Sequence, residues 1–440
     1  MPEYVDRIWE PPSEAGAILP RRDRVRVRFR AFIPEPIADL DVRTSPETGE
    51  AIEAAEEAIR QLDGRARQVA SLEALSRLLL RAEGISSSRI EGLVVGHRQL
   101  AEALFDPEHS RAVAREVVGN VRAISAAIEI GAGAAPFTPD VLLSIHRTLL
   151  GAGASGGGRF RTVQNWIGPA SSMSPRTAEF IPPPEDEVPR LTSDLCAFLA
   201  RRDVSPLAQA AIAHAQFETI HPFEDGNGRV GRALIHAVLQ RRRLAQRHTP
   251  PLSIVLAANP RSYIGGLTSF RAGDCEAWLG IAARTALVAC RGTERFLAAV
   301  GDLQGAWVER AGLPRRDSSA RRLIELLPGI PVLDVRLAAA ELGVSFQAAN
   351  EAVSRLEASG VLRRHEPDAQ RDRRWSAPEL FELLDSFQWV TSGPAVELDG
   401  VGAHRPSPPG SHTGGGRRRG SGRGALAPYT KGRFSVNGPR

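Results

Sequence analysis

Cysteine is scarce in this 440-residue chain, and what there is does not cluster: Cys196, Cys275 and Cys290 stand far apart with no CxxC pair. That spacing excludes a zinc-ribbon or disulfide framework and leaves three buried thiols as the expectation. No run of about eighteen apolar residues occurs anywhere, so no membrane span and no membrane partner are expected. No apolar segment of the leader type stands near Met1. The cytoplasm is therefore the default location.

Acids are missing from one region only. From Val401 onward there are eight Lys/Arg and no Asp or Glu, so the +5 of the whole chain becomes −3 over the first 400 residues. The segment 401–440, with GSHTGGGRRRGSGRG at its centre, has too little apolar surface to offset the entropy of ordering and reads as a disordered basic tail. A solvated tail is its plain reading, and non-specific attraction to nucleic acid or anionic lipid is the alternative.

What remains is long enough for two or three domains. Residues 1–45 are rich in Pro and Arg, mostly extended, with one strand-like alternation, RVRVRFRAF. Helical spacing dominates 46–110, as in ETGEAIEAAEEAIRQLDG and VASLEALSRLLLRAEG, and continues through a core at 111–300. Inside that core a Gly-rich break, GAGASGGG, precedes RFRTVQNWIG and AEFIPPP, which predict a short hairpin around 160–182. Ser205 as N-cap and Pro206 at the first helical position then start SPLAQAAIAHAQFETI. A separate module at 301–376, a linker at 377–400 and the tail complete the division.

The densest chemistry lies in HPFEDGNGRVGR, residues 221–232, a loop between two helical patterns. Gly226, Asn227 and Gly228 at the foot of the second helix offer backbone N–H groups and the positive end of its dipole, an anion site. Arg229 and Arg232, three apart, fall on neighbouring positions of one helix face and can bond phosphate oxygens. Asp225 is a hard oxygen ligand suited to a Mg²⁺ that keeps most of its waters and bridges phosphates. His221, ending the preceding helix, has the side chain whose pKa suits proton removal near neutrality. Anion cradle, metal ligand and base together describe phosphoryl or nucleotidyl transfer.

Three other readings fail. GNGRVG fits GxGxxG, but that fingerprint must follow a strand, and a helix precedes it here. DGNG resembles the opening of a calcium loop, yet the sixth position is Val230 and the twelfth is His236. His214, His221 and Asp225 as a metal set would need a second ligand-bearing segment, and His214 is better placed packing within the helices.

HPFEDGNGRVGR resembles the signature of the Fic family, HxFx[DE]GNGRxxR, at every specified position. The resemblance implies AMP transfer from ATP to a Ser, Thr or Tyr hydroxyl of a protein. It implies His221 as general base, Asp225 holding Mg²⁺ between the α- and β-phosphates, Gly226, Asn227 and Gly228 as anion hole, and Arg229 and Arg232 on the β- and γ-phosphates. Phe223 would be a core anchor. RFRAFIPEPI is similar to the extended N-terminal segment of longer members, and the hairpin at 160–182 to the flap that holds a target backbone by strand addition. LSIVLAANPRSYIGGLTSFRAGDCEAWLGI (252–281) resembles the helices after the motif, which places Asn259, Arg261 and Tyr263 near the nucleotide base; Ile264 stands where many relatives carry a second tyrosine. The likeness covers about residues 20–300.

SSSRIEGL (86–93) carries a second decision. Read plainly, Ser88-x-x-Glu91 is a capping box at a helix N-terminus. In the longer members a helix ahead of the core bears [ST]xxxE[GN], matched by Ser87, Glu91 and Gly92, and its glutamate pairs with the second motif arginine, here Arg232. The resemblance thus implies autoinhibition, a carboxylate competing with the γ-phosphate for one guanidinium.

Residues 318–376 look like a winged helix-turn-helix: SSARRLIELLPG, VRLAAAELG and VSFQAANEAVSRLEASGVLRR as helices, then a wing at RRHEPDAQRDRRW. DNA contact stays open, because the recognition helix sets Glu351 and Glu357 against Arg355 while the wing carries Arg363, Arg364, Arg371, Arg373 and Arg374 against three acids. Dimerisation or target docking is the other reading. The expectation is a mainly α protein: a Fic helical core with a short β-hairpin flap, a C-terminal winged helix and a disordered tail. Its expected activity is autoinhibited protein adenylylation, with ATP as co-substrate and Mg²⁺, a flap-held protein target, and self-modification and homodimerisation left open. The alternatives are AMP removal from a modified protein and a DNA-binding regulator whose core senses nucleotide.

Overall fold

The computed structural model describes residues 2–11, 19–65, 72–151, 154–168, 174–365 and 373–389. The basic tail expected to be disordered, and part of the wing, lie outside these residues.

The N-terminal segment is a hairpin ribbon rather than an extended arm. Strand β1 (Glu3–Trp9) pairs antiparallel with β2 (Val27–Ile33), in register from Glu3 opposite Ile33 to Trp9 opposite Val27. The Phe32 amide then donates to the Ile181 carbonyl at 3.0 Å, so the ribbon is tied to the segment expected to form the flap. RVRVRF announced β2; the charged alternation of EYVDRIW hid its partner.

Helices follow: α1 (Pro46–Arg65), α2 (Leu72–Ile90), α3 (His97–Phe105), α4 (Ala112–Ala132), α5 (Pro139–Leu150), α6 (Val188–Leu199), α7 (Pro206–Ile220), α8 (Asn227–Arg241), α9 (Leu252–Ala258), α10 (Pro260–Arg271) and α11 (Cys275–Arg310). Helix α7 is the axis of the main core, every residue from Leu207 to Ile220 being buried. Its alanines at 208, 210, 211, 213 and 215 let neighbouring helices close in on all sides, a pattern without an apolar stripe. Ser205 stands at its N-cap with extended backbone, as expected, but makes no side-chain capping bond. Helix α8 packs on α7 and α4, α1 on α11, and α2 on α4 and α9.

A second core gathers α12 (Ser319–Leu326), α13 (Val335–Leu342), α14 (Phe346–Ala358) and a small sheet in the order β3-β5-β4, made by Val332–Leu333, Trp375–Ser376 and Arg363–Arg364. Two long helices are shared between the cores. Leu75, Leu78 and Leu79 of α2, and Phe296 and Trp307 of α11, belong to this second cluster. The boundary expected at 300 therefore falls inside the continuous helix α11. The expected linker is corrected too: α15 (Pro378–Ser386) buries Leu380, Phe381 and Leu384, and Glu379 accepts from Trp307 Nε1 and from two Arg310 nitrogens, each at 2.7 Å.

Among the described residues no helix is long and apolar enough to cross a membrane. Cys196 and Cys290 are buried as expected, and Cys275 is half-buried. Burial pushes the first two thiols up to about 12 and Cys275 up to about 11, so none is a ready nucleophile.

Candidate functional site

Proline ends α7. Pro222 lacks an N–H and disfavours the right-handed helical region for the residue before it, and His221 sits in the left-handed region, φ 51° and ψ 60°. Such a conformation in a non-glycine residue costs on the order of 1–3 kcal/mol and persists only where the surroundings hold it.

What holds it is Arg161, a residue the sequence did not single out. Its Nε donates to the His221 carbonyl at 2.9 Å, another nitrogen to Val163 O at 3.1 Å, a third to Pro183 O, and its own amide to Pro222 O at 2.9 Å. One buried guanidinium thus satisfies carbonyls at the end of α7 and fastens both legs of the flap segment to it. Burial lowers its pKa to about 10, only partly offset by Glu185 and Asp186. Bonds to backbone carbonyls leave no side-chain pattern, so nothing in the sequence signals this bolt. Arg161→Leu is expected to cost about 3 kcal/mol or more, because several buried carbonyls lose their donor together. Thermal unfolding checks this; an unchanged Tm would mean that other groups take the carbonyls over.

Inside the loop, Asn227 is committed to the backbone: its Oδ1 accepts from Phe223 N and its Nδ2 donates to Phe223 O, both at 2.8 Å. The Phe223 ring, fully buried, stacks on His146 with centroids 3.8 Å apart. Gly158 N donates to His146 Nδ1 at 3.1 Å, which leaves Nε2 to carry the proton toward Asp225 O, also at 3.1 Å. Gly226 takes φ +79°, a conformation that favours glycine, and a Cβ there would push on the Leu149 side chain at 2.6 Å. The result is a rigid loop that presents the first-turn N–H groups of α8. Arg229 is nearly buried and donates to Asp225 Oδ2 at 3.2 Å.

Arg232 reaches α2. Its Nε donates to Ser87 Oγ at 2.9 Å, and Nη2 donates to Ser87 O at 2.8 Å and to Glu91 Oε1 at 2.9 Å. Burial opposes this charge, but Glu91, with Tyr263 and Glu218, outweighs it and carries the guanidinium above the ordinary arginine value. Glu91 is held by a helix end. Leu93 N bonds Ser88 O at 3.0 Å and Gly92 N bonds Arg89 O at 2.9 Å, with Gly92 at φ +82°, a Schellman closure. The capping-box reading of Ser88 and Glu91 is thereby corrected: the stretch closes the C-terminus of α2, and Ser88 Oγ accepts from Asn120 Nδ2 instead.

These groups border a cleft of about 360 Å³. His221, Gly228, Arg232, Glu91 and Tyr263 line it, together with Arg261 and Ile264 of α10 and with Ile167 and Phe180. Ile167 and Phe180 exchange backbone bonds of 2.8 and 3.1 Å, so among the described residues the expected hairpin is present as an antiparallel bridge. Ser87, Asp225, Gly226, Asn227, Arg229 and Asn259 are not in the cleft wall; Asn259 is half-buried at the α9–α10 junction and donates to Val255 O at 3.0 Å. Tyr263 is buried with its hydroxyl 2.8 Å from His214 Nε2. Burial, reinforced by the Arg232 charge, lowers the His214 pKa to about 3, so this histidine is a neutral packing group, as its helical position suggested. Arg271, also unforeseen, stacks 3.8 Å over the Phe180 ring on the cleft's far side, its pKa lowered to about 10 by burial.

Among the described residues no group of three His, Cys, Asp or Glu is arranged to hold a metal. A single carboxylate beside an anion cradle, as Asp225 provides, still fits a Mg²⁺ whose other ligands are water and phosphate.

The comparisons bear on a loop and helix start of this form. Residues 136–239 match the Fic/DOC family model and 49–129 the Fic/DOC family N-terminal model. Over these two stretches the chain is similar to the Fic/DOC family. It is 44% identical over 63 residues to a probable protein adenylyltransferase of Aquifex aeolicus, covering 14% of this chain and 20% of that protein. It is 28% identical over 151 residues to a protein adenylyltransferase Fic of Nematostella vectensis, covering 33% and 32%. The chain thus spans a fifth to a third of the length of these relatives. The crystal structure of a Fic family protein from Desulfovibrio desulfuricans aligns at 23% identity over 76% of this chain and 97% of that one, with a TM-score of 0.49.

Proposed function

We propose that the protein is a protein adenylyltransferase that moves AMP from ATP to a hydroxyl of a protein target. One observation carries the reading: His221, Gly228 at the start of α8, and Arg232 open together onto one cleft, whose opposite wall from α10 offers Tyr263 and Ile264 to a flat base. The curated relatives bearing the name protein adenylyltransferase support it.

In this reading the first turn of α8 and Arg229 hold the phosphates, and Arg232 binds the γ-phosphate. His221 takes the proton from the target hydroxyl as that oxygen attacks the α-phosphorus, and the bond to the leaving pyrophosphate breaks. Asp225 would hold Mg²⁺, which when bound supplies positive charge to the phosphate oxygens. In this reading the target backbone adds as a strand beside the bridge at Ile167 and Phe180. Glu91 restrains the reaction, since it occupies the guanidinium the γ-phosphate needs. We read the C-terminal module, three helices with a three-stranded sheet, as a winged helix, and the cytoplasm as the site of action.

ATP labelled at the α-phosphate, and separately at the γ-phosphate, incubated with the Glu91→Gly protein and cell lysate, tests the reading. Label from the α position alone is expected on protein. Label from the γ position would show kinase chemistry, and none from either would end the proposal.

A further inference from the structure

Helices α2 and α8 meet in a register that extends beyond the cleft. Glu83 Oε1 accepts from His236 Nε2 at 2.9 Å; one turn on, Ser87 accepts twice from Arg232; one turn further, Glu91 accepts from Arg232 with its Oε1 where a Cβ on Gly228 would lie 1.9 Å away. The positions advance by four along α2 to the residue just past its end (83, 87, 91) and retreat by four on α8 (236, 232, 228). The helices therefore run antiparallel, with three rungs on one face of each. The first rung lies outside the nucleotide site and is wholly buried, Glu83 at 2% and His236 at 1% exposure. Buried Ser253 completes it, its amide donating to Glu83 Oε2 at 2.8 Å and its hydroxyl to Oε1.

We infer that Glu83 and His236 are positioning residues: their rung sets the register of α2 on α8 and thereby places Glu91 against Arg232. The inference rests on the reading that Glu91 restrains transfer. Apolar packing between two helices tolerates small slips, because the methyl groups that lose one neighbour meet another. Directional bonds between buried polar groups do not, since a slip strands each partner without water. A shift of one residue advances a helix by about 1.5 Å and turns it by about 100°, which takes a carboxylate out of reach of its guanidinium. Holding register is also the best-attested use of buried polar pairs. Neither Glu83 nor His236 stands in a motif, and their pairing across 153 positions of sequence is visible only in the fold.

His236→Leu keeps much of the volume and removes the donor; His236→Gln restores one. Basal AMP transfer is expected to rise about tenfold in His236→Leu, the worth of one hydrogen bond to a charged group, and to stay near the wild-type value in His236→Gln. In a Glu91→Gly background His236→Leu should add nothing, because the restraint it would loosen is already gone. Equal effects in both backgrounds, or no rise in wild type, would overturn the inference. If His236→Leu fails to fold, Glu83→Met with His236→Leu, which leaves no buried charge unpaired, is expected to give the same rise. Amide hydrogen exchange over residues 88–93 reads the register without nucleotide chemistry: faster exchange in His236→Leu supports the inference, and unchanged protection overturns it. Silence of Glu91→Gly in the transfer assay would count against the transferase reading alone, with the exchange result still deciding this one.

Discussion

Replacing Glu91 by glycine is expected to raise AMP transfer by about a hundredfold, a change of about 2.7 kcal/mol in the competition for Arg232. The carboxylate does two things at once. It accepts from Arg232 Nη2 at 2.9 Å, and its Oε1 lies against the Gly228 backbone, in the space above the first turn of α8 where a phosphate would settle. Removing it clears the cradle and returns a donor to it. Arg232 is not stranded by the change, because Ser87 keeps two bonds to it and Glu218 contributes its charge. The variant should therefore fold, which sets it apart from most cases in which a buried pair is broken. Initial rates with α-labelled ATP over a range of concentrations check the expectation. An unchanged rate would remove Glu91 from the control of the reaction.

The sequence shows the site far better than it shows what supports it. HPFEDGNGRVGR is contiguous, so one glance collects base, cradle and arginines, and the structure indeed brings His221, Gly228 and Arg232 to one cleft. The Glu91 contact was legible through a short motif, although its local reading as a capping box placed it at the wrong end of a helix. Helices α1, α2, α7 and α8 were legible from period, whereas α15, with few apolar residues, hid in an expected linker. Arg161, His146 and Glu83 were not legible, for one physical reason. Each acts through partners far away in sequence, and their value to the fold lies in satisfying a carbonyl, an amide or another buried side chain. A lone arginine or glutamate in a sequence looks the same whether it faces water or a helix end.

The sharing of α2 between two cores gives these long-range ties a direction. Its first half lends Leu75, Leu78 and Leu79 to the C-terminal cluster, while Arg77 bonds Glu341 at 2.9 Å and Arg81 bonds Gly329 O at 2.5 Å. Its last turn carries Ser87, and the residue just past its end Glu91, to Arg232. One rigid helix thus connects the face of the C-terminal module to the cleft, so its seating on that module and its register on α8 are features of a single element.

In the Glu91→Gly background, His221→Ala is expected to lower AMP transfer by about a thousandfold while ATP affinity stays within about twofold, the pattern for loss of a general base that does not bind the phosphates. The site explains the separation. The groups proposed to bind phosphate belong to α8, whose first turn is fixed by Asn227 and Gly226, whereas His221 ends α7 and is held through its backbone by Arg161. Backbone strain is the rival explanation for any loss, since His221 sits at φ 51°. His221→Asn answers it: asparagine tolerates the left-handed region better than most residues but cannot accept a proton near neutral pH. Loss of base function predicts that the Asn and Ala variants are equally slow, with ATP binding by calorimetry unchanged in both. Recovery of transfer in His221→Asn would instead assign the effect to the backbone, and the proton would then have to leave by another route.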